Sequence, residues 1–499
     1  MSTAARETES PKLASTGIEG FDNVLKGGFV PNRLYVIEGV PGSGKTTLAM
    51  QFLIEGARRG EPVLYITLSE TAEELRAVAA THGWSLDGVT IREFVPGEDS
   101  LQPDEQYTMF HPSEVEMGAT TKTILADVDK IKPARVVFDS LSEIKLLATS
   151  PIQFRRQILA LKQFFVGRNC TVLFLDDTAS SFQDLHVQTL AHGVIKLEQL
   201  YPEYGMERRR LCVVKYRGVA FRGGYHDYKI RRGGIEVFPR LVASEYRPPI
   251  QAEKLASGVA QLDTLLGGGV ERGTSTLIVG AAGTGKSTLA TQFVATAADR
   301  GQTAAMFIFD ESFNTLLTRA AGLNINLQAA MESGKVIIQQ VDPAELSPGE
   351  FVNTIRQCVE RHKISIVVID SLNGYLNAMP GERFLIIQLH ELLTYLGQAG
   401  VATLLIGAHH GMIGTQMATP VDASYLADAV ILMRYYEMRG EVRQAISVVK
   451  KRGSAHERTI RDFRLENGRI NIGPPLREFR GVLTGVPTYD EPPREADGK

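Results

Sequence analysis

The sequence predicts two tandem α/β P-loop domains, each built on a mainly parallel, doubly wound sheet. Three observations predict it. The chain repeats itself almost from end to end, each repeat opens with a strand, a glycine-rich turn and a helix, and further apolar strands then alternate with helical stretches. Gly17, Gly39, Lys45, Phe52, Gly60 and Glu70 return as Gly258, Gly280, Lys286, Phe293, Gly301 and Glu311, each 241 residues on. The offset contracts to 231 between Asp139 and Asp370, and it is 235 between the pair Lys215, Arg217 and the pair Lys450, Arg452. Drift of this size indicates two homologous domains with loop insertions, not a short-period solenoid.

The first domain is expected over residues 13–247 and the second over 248–486, with the proline-bearing stretch 245–254 as linker. Residues 1–12 and 487–499 read as disordered tails. Within each half, Leu34–Glu38 and Thr276–Val279 are short β-rich runs ahead of the glycine-rich turn. Thr47–Arg59 and Thr288–Arg300 follow with apolar residues at helical spacing, and Gly60 and Gly301 close them as C-terminal caps. Val63–Leu68 and Ala304–Phe309 are the next strands. RVVFDS and SIVVIDS read as buried parallel strands that end in an acid.

Composition narrows the function classes. The 499 residues give ample chain for two cores, and 43% hydrophobic with 22% charged residues excludes a disordered or collagen-like protein. With 54 Lys+Arg against 57 Asp+Glu, the net charge of −3 disfavours a coat for nucleic acid. Cys170, Cys212 and Cys358 lie far apart and form no CxxC pair, the pattern of reduced thiols. The N-terminal segment lacks the apolar core of a signal peptide, and no apolar run reaches the ~18 residues of a membrane span. A cytoplasmic protein without a membrane partner is expected.

GVPGSGKT (39–46) and GAAGTGKS (280–287) both fit the P-loop pattern GxxxxGK[ST]. Gly42, Ser43, Gly44, Lys45, Thr46 and Thr47, with Gly283, Thr284, Gly285, Lys286, Ser287 and Thr288, are the candidate nucleotide-binding residues. Glycines let backbone N–H groups close around phosphate oxygens, and the helix N-terminus adds its positive dipole end. Lys45 and Lys286 would reach the β- and γ-phosphates, while the hydroxyls of Thr46 and Ser287 would ligate Mg²⁺. ATP and Mg²⁺ are the expected cofactors. Asp139 and Asp370 end apolar strands, where an acid would hold Mg²⁺ through water or cap the helix that begins at the next serine. Glu70 and Glu311 could polarise an attacking water, or simply favour a helix N-terminus. VVKYRG (213–218) recurs as VVKKRG (448–453), which is either a solvated edge or a set of cations, Lys215, Arg217, Lys450 and Arg452, aimed at a neighbouring subunit's γ-phosphate. His409 and His410 read as local structural residues.

These residues carry a resemblance. The paired openings STGIEGFDNVLKGG and ASGVAQLDTLLGGG, the two P-loops, LSET and FDES, KYRG and KKRGSAH, and the run DAVILMRYYEMRGEVRQAISVVKKRGSAHERTIRDFRLENGRINI resemble the KaiC family, the double-domain RecA-like ATPases of the bacterial circadian clock. The resemblance covers about residues 12 to 487. It implies a homo-hexameric double ring with ATP and Mg²⁺ between subunits, and clock or signalling proteins as partners. It also implies slow hydrolysis in the first ring, and autokinase with autophosphatase activity in the second. His456 joins the residues expected to face the neighbour's nucleotide. The family's adjacent acidic pair falls on Ser69 and Glu70 in the first half and on Asp310 and Glu311 in the second, making Glu70, Asp310 and Glu311 the catalytic candidates. Its paired phosphorylation sites fall on Ser424 and Tyr425, so single-site phosphorylation at Ser424 is expected, with Thr419 a weaker acceptor. The short end after Val486 implies independence from a tail-binding activator. Two other functions share the fold: a RecA- or DnaB-like DNA-dependent ATPase, and an ATP-assembled scaffold with negligible turnover.

Overall fold

The computed structural model describes residues 13–94, 112–148, 150–177, 185–246, 253–377, 384–408, 425–482 and 488–489. The chain divides into two compact units that meet between Arg240 and Leu241. That point precedes the break expected at 247/248 for a packing reason. Leu241 and Ala243 are buried in the second unit's core, the Ala243 N–H donates to Glu391, and the Tyr246 ring packs on Tyr395 at 4.6 Å.

In the first unit the strands are β1 (Leu34–Gly39), β2 (Val63–Thr67), β3 (Thr90–Glu93), β4 (Arg135–Asp139) and β5 (Thr171–Asp177). They continue as β6 (Gly193–Leu200), β7 (Arg208–Tyr216), β8 (Tyr225–Arg231) and β9 (Gly234–Phe238). The sheet order is β3-β2-β4-β5-β1-β6-β7-β8-β9, parallel from β3 to β6 and antiparallel beyond. A two-stranded ribbon, β10 (Lys254–Leu255) with β11 (Val270–Glu271), opens the second unit. Its main strands are β12 (Ser275–Gly280), β13 (Ala304–Ile308), β14 (Val336–Gln340), β15 (Ile366–Asp370) and β16 (Ala402–Ala408). After these come β17 (Ala429–Met438), β18 (Glu441–Lys451), β19 (Ile460–Glu466) and β20 (Arg469–Pro475), and the order repeats as β14-β13-β15-β16-β12-β17-β18-β19-β20. Each unit is a RecA-like α/β domain. The antiparallel extension that carries the basic motif is an element that strand-and-helix alternation in the sequence does not reveal.

Both faces of the central strands are covered, which is why they read as continuous apolar runs. Tyr35 and Ile37 enter the core beneath the P-loop helix, whereas Leu34 and Val36 enter the core on the opposite face. Ile278 separates from Leu277 and Val279 in the same way. No helix among the described residues is long and apolar enough to cross a membrane.

One buried ion pair distinguishes the units. At the start of β4, Arg135 is fully buried and donates to Ser15 O and Phe52 O at 2.8 Å and to Glu61 Oε2 at 2.5 Å. Its guanidinium lies over the Phe52 ring. Gly56 makes room for it, since a Cβ there would stand 2.6 Å from the Arg135 side chain. In the second unit the same register places hold Ile366 and Ala297, and the opening loop is tied instead by Thr296 Oγ1 donating to Ser257 O at 2.8 Å.

Candidate functional site: two P-loops with different carboxylates

In each unit the central strand runs into the glycine-rich turn, and the turn into a helix, Lys45–Arg58 or Lys286–Asp299. Gly44 and Gly285 precede those helices with φ of 90° and 94°, a left-handed conformation that a side chain would penalise. Thus 42–47 and 283–288 gather at the carboxyl ends of β1 and β12, where parallel sheets bind ligands. The antiparallel extension braces both turns. Tyr228 OH donates to Ser43 O at 2.6 Å, and Tyr435 OH and Gln444 Nε2 donate to Ala282 O and Gly283 O, each at 3.2 Å.

The strand-end acids stand beside the P-loop hydroxyls. Thr46 Oγ1 donates to Asp139 Oδ2 at 3.2 Å, and Ser287 hydrogen-bonds Asp370. Burial raises the pKa of both carboxyls above the ordinary aspartate range. For Asp139 this is opposed by hydrogen bonds from Tyr65 and Thr46 and by the Lys45 charge, and for Asp370 by Ser287 and Arg319. Tyr65 OH reaches Asp139 Oδ2 at 2.5 Å. Met306 stands at the matching position of the second repeat, so Asp370 has no such phenol.

The two lysines are held differently. Lys45 Nζ donates to Gly39 O at 2.8 Å and pairs with Asp177 at 2.7 Å. In the second unit the place of Asp177, at the end of the strand beside the P-loop strand, belongs to Ala408. Lys286 Nζ donates to Ala281 O at 2.7 Å, and burial lowers its pKa against the opposing pull of Asp370.

The widest divergence is at the candidate bases. Glu70 is partly buried, and its Oε2 has no hydrogen-bond partner among the described residues. Its carboxyl is pushed up by burial first, then by the charges of Asp139 and Glu74. Glu311 is instead gripped by Arg319, whose Nε and Nη2 donate to its two oxygens at 3.1 and 2.7 Å. Asp310 accepts a hydrogen bond from the Ser371 hydroxyl.

A family model described as "ATPase: KaiC" matches residues 14–242 and again 255–477. The chain belongs to the KaiC ATPase family. Among its relatives, the circadian clock protein KaiC3 of a Synechocystis species is 28% identical over 97% of this chain and 96% of that protein. The circadian clock oscillator protein KaiC of Parathermosynechococcus lividus is 27% identical over 95% of this chain and 87% of its own. Its counterpart in Synechococcus elongatus is 26% identical, with coverages of 95% and 91%. Membership in a KaiC-type ATPase family implies nucleotide binding.

In each unit the basic motif lies away from that unit's own P-loop. Tyr216 pairs with Gly193, and Gly193 with Tyr35, which places Lys215 and Arg217 toward the start of β1, roughly 10–17 Å along the strand from its P-loop end. There Lys215 Nζ donates to Gln188 O at 2.6 Å and Arg217 Nη2 to Thr189 O at 3.1 Å. Lys450 and Arg452 repeat the arrangement on Ala427 O and Tyr425 O, at 2.8 and 3.3 Å. His456 follows β18, half-buried. Ser424, Thr419, His409 and His410 lie outside the described residues, whereas Tyr425 is described and exposed.

Sequence reading missed Tyr65, Asp177, Arg319 and Ser371. Three of them occupy positions where the repeats differ (Tyr65 against Met306, Asp177 against Ala408, Val78 against Arg319), and comparing the repeats at their mismatches was the signal available.

Proposed function

We propose that this KaiC-family protein is an ATP-hydrolysing enzyme and serine autokinase, with autophosphatase activity, acting as a six-membered timing or signalling ring. The observation that carries the reading is the carboxylate of Glu70. A general base needs a free lone pair beside the nucleophile and a pKa drawn toward the working pH, and Glu70 has an oxygen unpartnered among the described residues and a raised pKa. Lys45 and the P-loop backbone bind the phosphates, and Glu70 takes a proton from the attacking water. Thr46 with Asp139, and Ser287 with Asp370, form all-oxygen donor sets that suit Mg²⁺. A Mg²⁺ ion held there would supply positive charge to offset that of the phosphates.

In the second unit, Asp310 or Glu311 accepts the proton of the Ser424 hydroxyl as it takes the γ-phosphoryl group. Lys215, Arg217, Lys450, Arg452 and His456 face a neighbour's nucleotide. What supports this is their position at the far end of the sheet from their own P-loops. The clock names of the relatives support the timing role.

Incubating the full chain with ATP·Mg²⁺ tests these readings together. ADP should accumulate, phosphate should appear on Ser424, and light scattering should give a mass near six times 54.7 kDa. A monomer in saturating ATP rejects the ring. Phosphate retained in full by Ser424→Ala rejects the acceptor, and phosphorylation lost on deleting 487–499 rejects independence from the tail. DNA-stimulated turnover would revive the motor reading.

A further inference from the structure

In the second unit the Arg319 guanidinium makes three directed bonds: two to the Glu311 carboxylate, and one from Nη1 to Thr288 Oγ1 at 3.0 Å. Both members of the ion pair are less than a quarter exposed. Such a fork-on-fork pair is stronger and more rigid than a surface contact. Thr288 sits in the first turn of the P-loop helix, so the clamp ties Glu311 to the element that binds phosphate. The first unit has Val78 at this position of the repeat, a side chain that cannot donate.

We propose that Arg319 is a positioning residue that directs the γ-phosphoryl group of the second unit away from water and toward a side-chain hydroxyl, by withholding Glu311 as a base. The proposal deepens the function proposed above and rests on it. In hydrolysis the water oxygen bonds to the γ-phosphorus while the bond to the bridging oxygen breaks. The electron pair of that bond leaves with ADP, and a water proton passes to a carboxylate. A carboxylate already committed through both oxygens to guanidinium N–H groups is a poor acceptor for that proton. Transfer to serine balances in the same way, with the hydroxyl proton passing to Asp310. Asp310 remains approachable: it is exposed, and Ser371 bonds its Oδ2.

The test is steady-state kinetics on the full chain carrying Glu70→Gln, so that the second unit's turnover is read alone. Arg319→Val should raise kcat for ADP release at least threefold, with KM for ATP changed less than twofold, and should lower the yield of phosphoserine per ADP. Adding Glu311→Gln should cancel the gain, and Arg319→Lys, with no fork, should fall between. The reciprocal change, Val78→Arg in the otherwise unaltered chain, should lower total ADP release at least threefold; its site is exposed, so it is readable even if Arg319→Val does not fold. An unchanged or lower kcat in folded Arg319→Val or Arg319→Lys overturns the proposal, as does full turnover in Val78→Arg. If Glu70→Gln alone leaves ADP release untouched, it is the underlying assignment of Glu70 that fails.

Discussion

Where the first unit leaves a Glu70 oxygen buried without a partner among the described residues, the second closes both Glu311 oxygens on Arg319. Where the first pairs its P-loop lysine with Asp177, the second has Ala408 and leaves Lys286 on a backbone carbonyl. The strand order and the P-loop geometry are the same in both. The difference teaches that a duplicated phosphate-binding frame can be steered by side chains one layer behind the phosphate contacts. Those neighbours decide which carboxylate keeps a free lone pair and which cation is already paired.

The comparison breaks most visibly at the buried guanidinium. Arg135→Met should lower the stability of the first unit by about 3 kcal/mol, because Ser15 O, Phe52 O and Glu61 lose their donor while buried or half-buried. Calorimetry should resolve a shifted transition for that unit beside an unshifted one for the second, whose Ile366 needs no partner. A common shift of both would show that the units do not unfold separately.

At the chemical step, Glu70→Gln in a chain whose second unit is disabled should reduce ADP release about a hundredfold, roughly 2.7 kcal/mol of barrier. Because the folded carboxyl is pushed up, the activity of the unaltered first unit should fall on acidification at a pH above the ordinary glutamate range. Unchanged ADP release in Glu70→Gln would remove the distinction between the units.

Acid should also separate them by stability. His226 is buried, donates from Nε2 to Arg222 O and accepts the Arg240 N–H at Nδ1, each at 2.9 Å. Burial lowers its pKa to about 4. With the folded value below the ordinary one near 6.5, the neutral form's contribution is complete above pH 6.5 and is lost as pH falls toward 4. It amounts to about 3 kcal/mol at most. The matching position of the second unit is Arg461, which carries no imidazole. Thermal denaturation of His226→Gln should therefore show a flatter pH dependence between 6.5 and 4 in the first unit's transition only.

The smallest expected effect is on nucleotide affinity. Asp177 is partly exposed, and its pairing with Lys45 competes with phosphate for the ammonium. Asp177→Asn should tighten ATP binding to the first unit a few-fold by removing that competitor, with the second unit unaffected. Titration with a fluorescent ATP analogue, with Lys286→Ala silencing the second site, reads it. Weaker binding would mean that Asp177 helps to hold the lysine in place for phosphate.

By itself the sequence determined the repeat, the two RecA-like units, the strands and helices around each P-loop, and the family. These follow from periodicity, glycine placement and buried apolar runs, which are local features written in consecutive residues. It also marked Glu70, Asp139, Glu311 and Asp370 by their strand ends. Tertiary structure alone decided which of those acids is free. Arg319 reaches Glu311 from nearly two helical turns past the start of its helix, Tyr65 reaches Asp139 from 74 residues away across adjacent strands, and Asp177 reaches Lys45 from the neighbouring strand β5. Hydrogen bonds of 2.5 to 3.2 Å are set by side-chain packing between elements, and a one-dimensional pattern records the donors and acceptors without recording which of them meet.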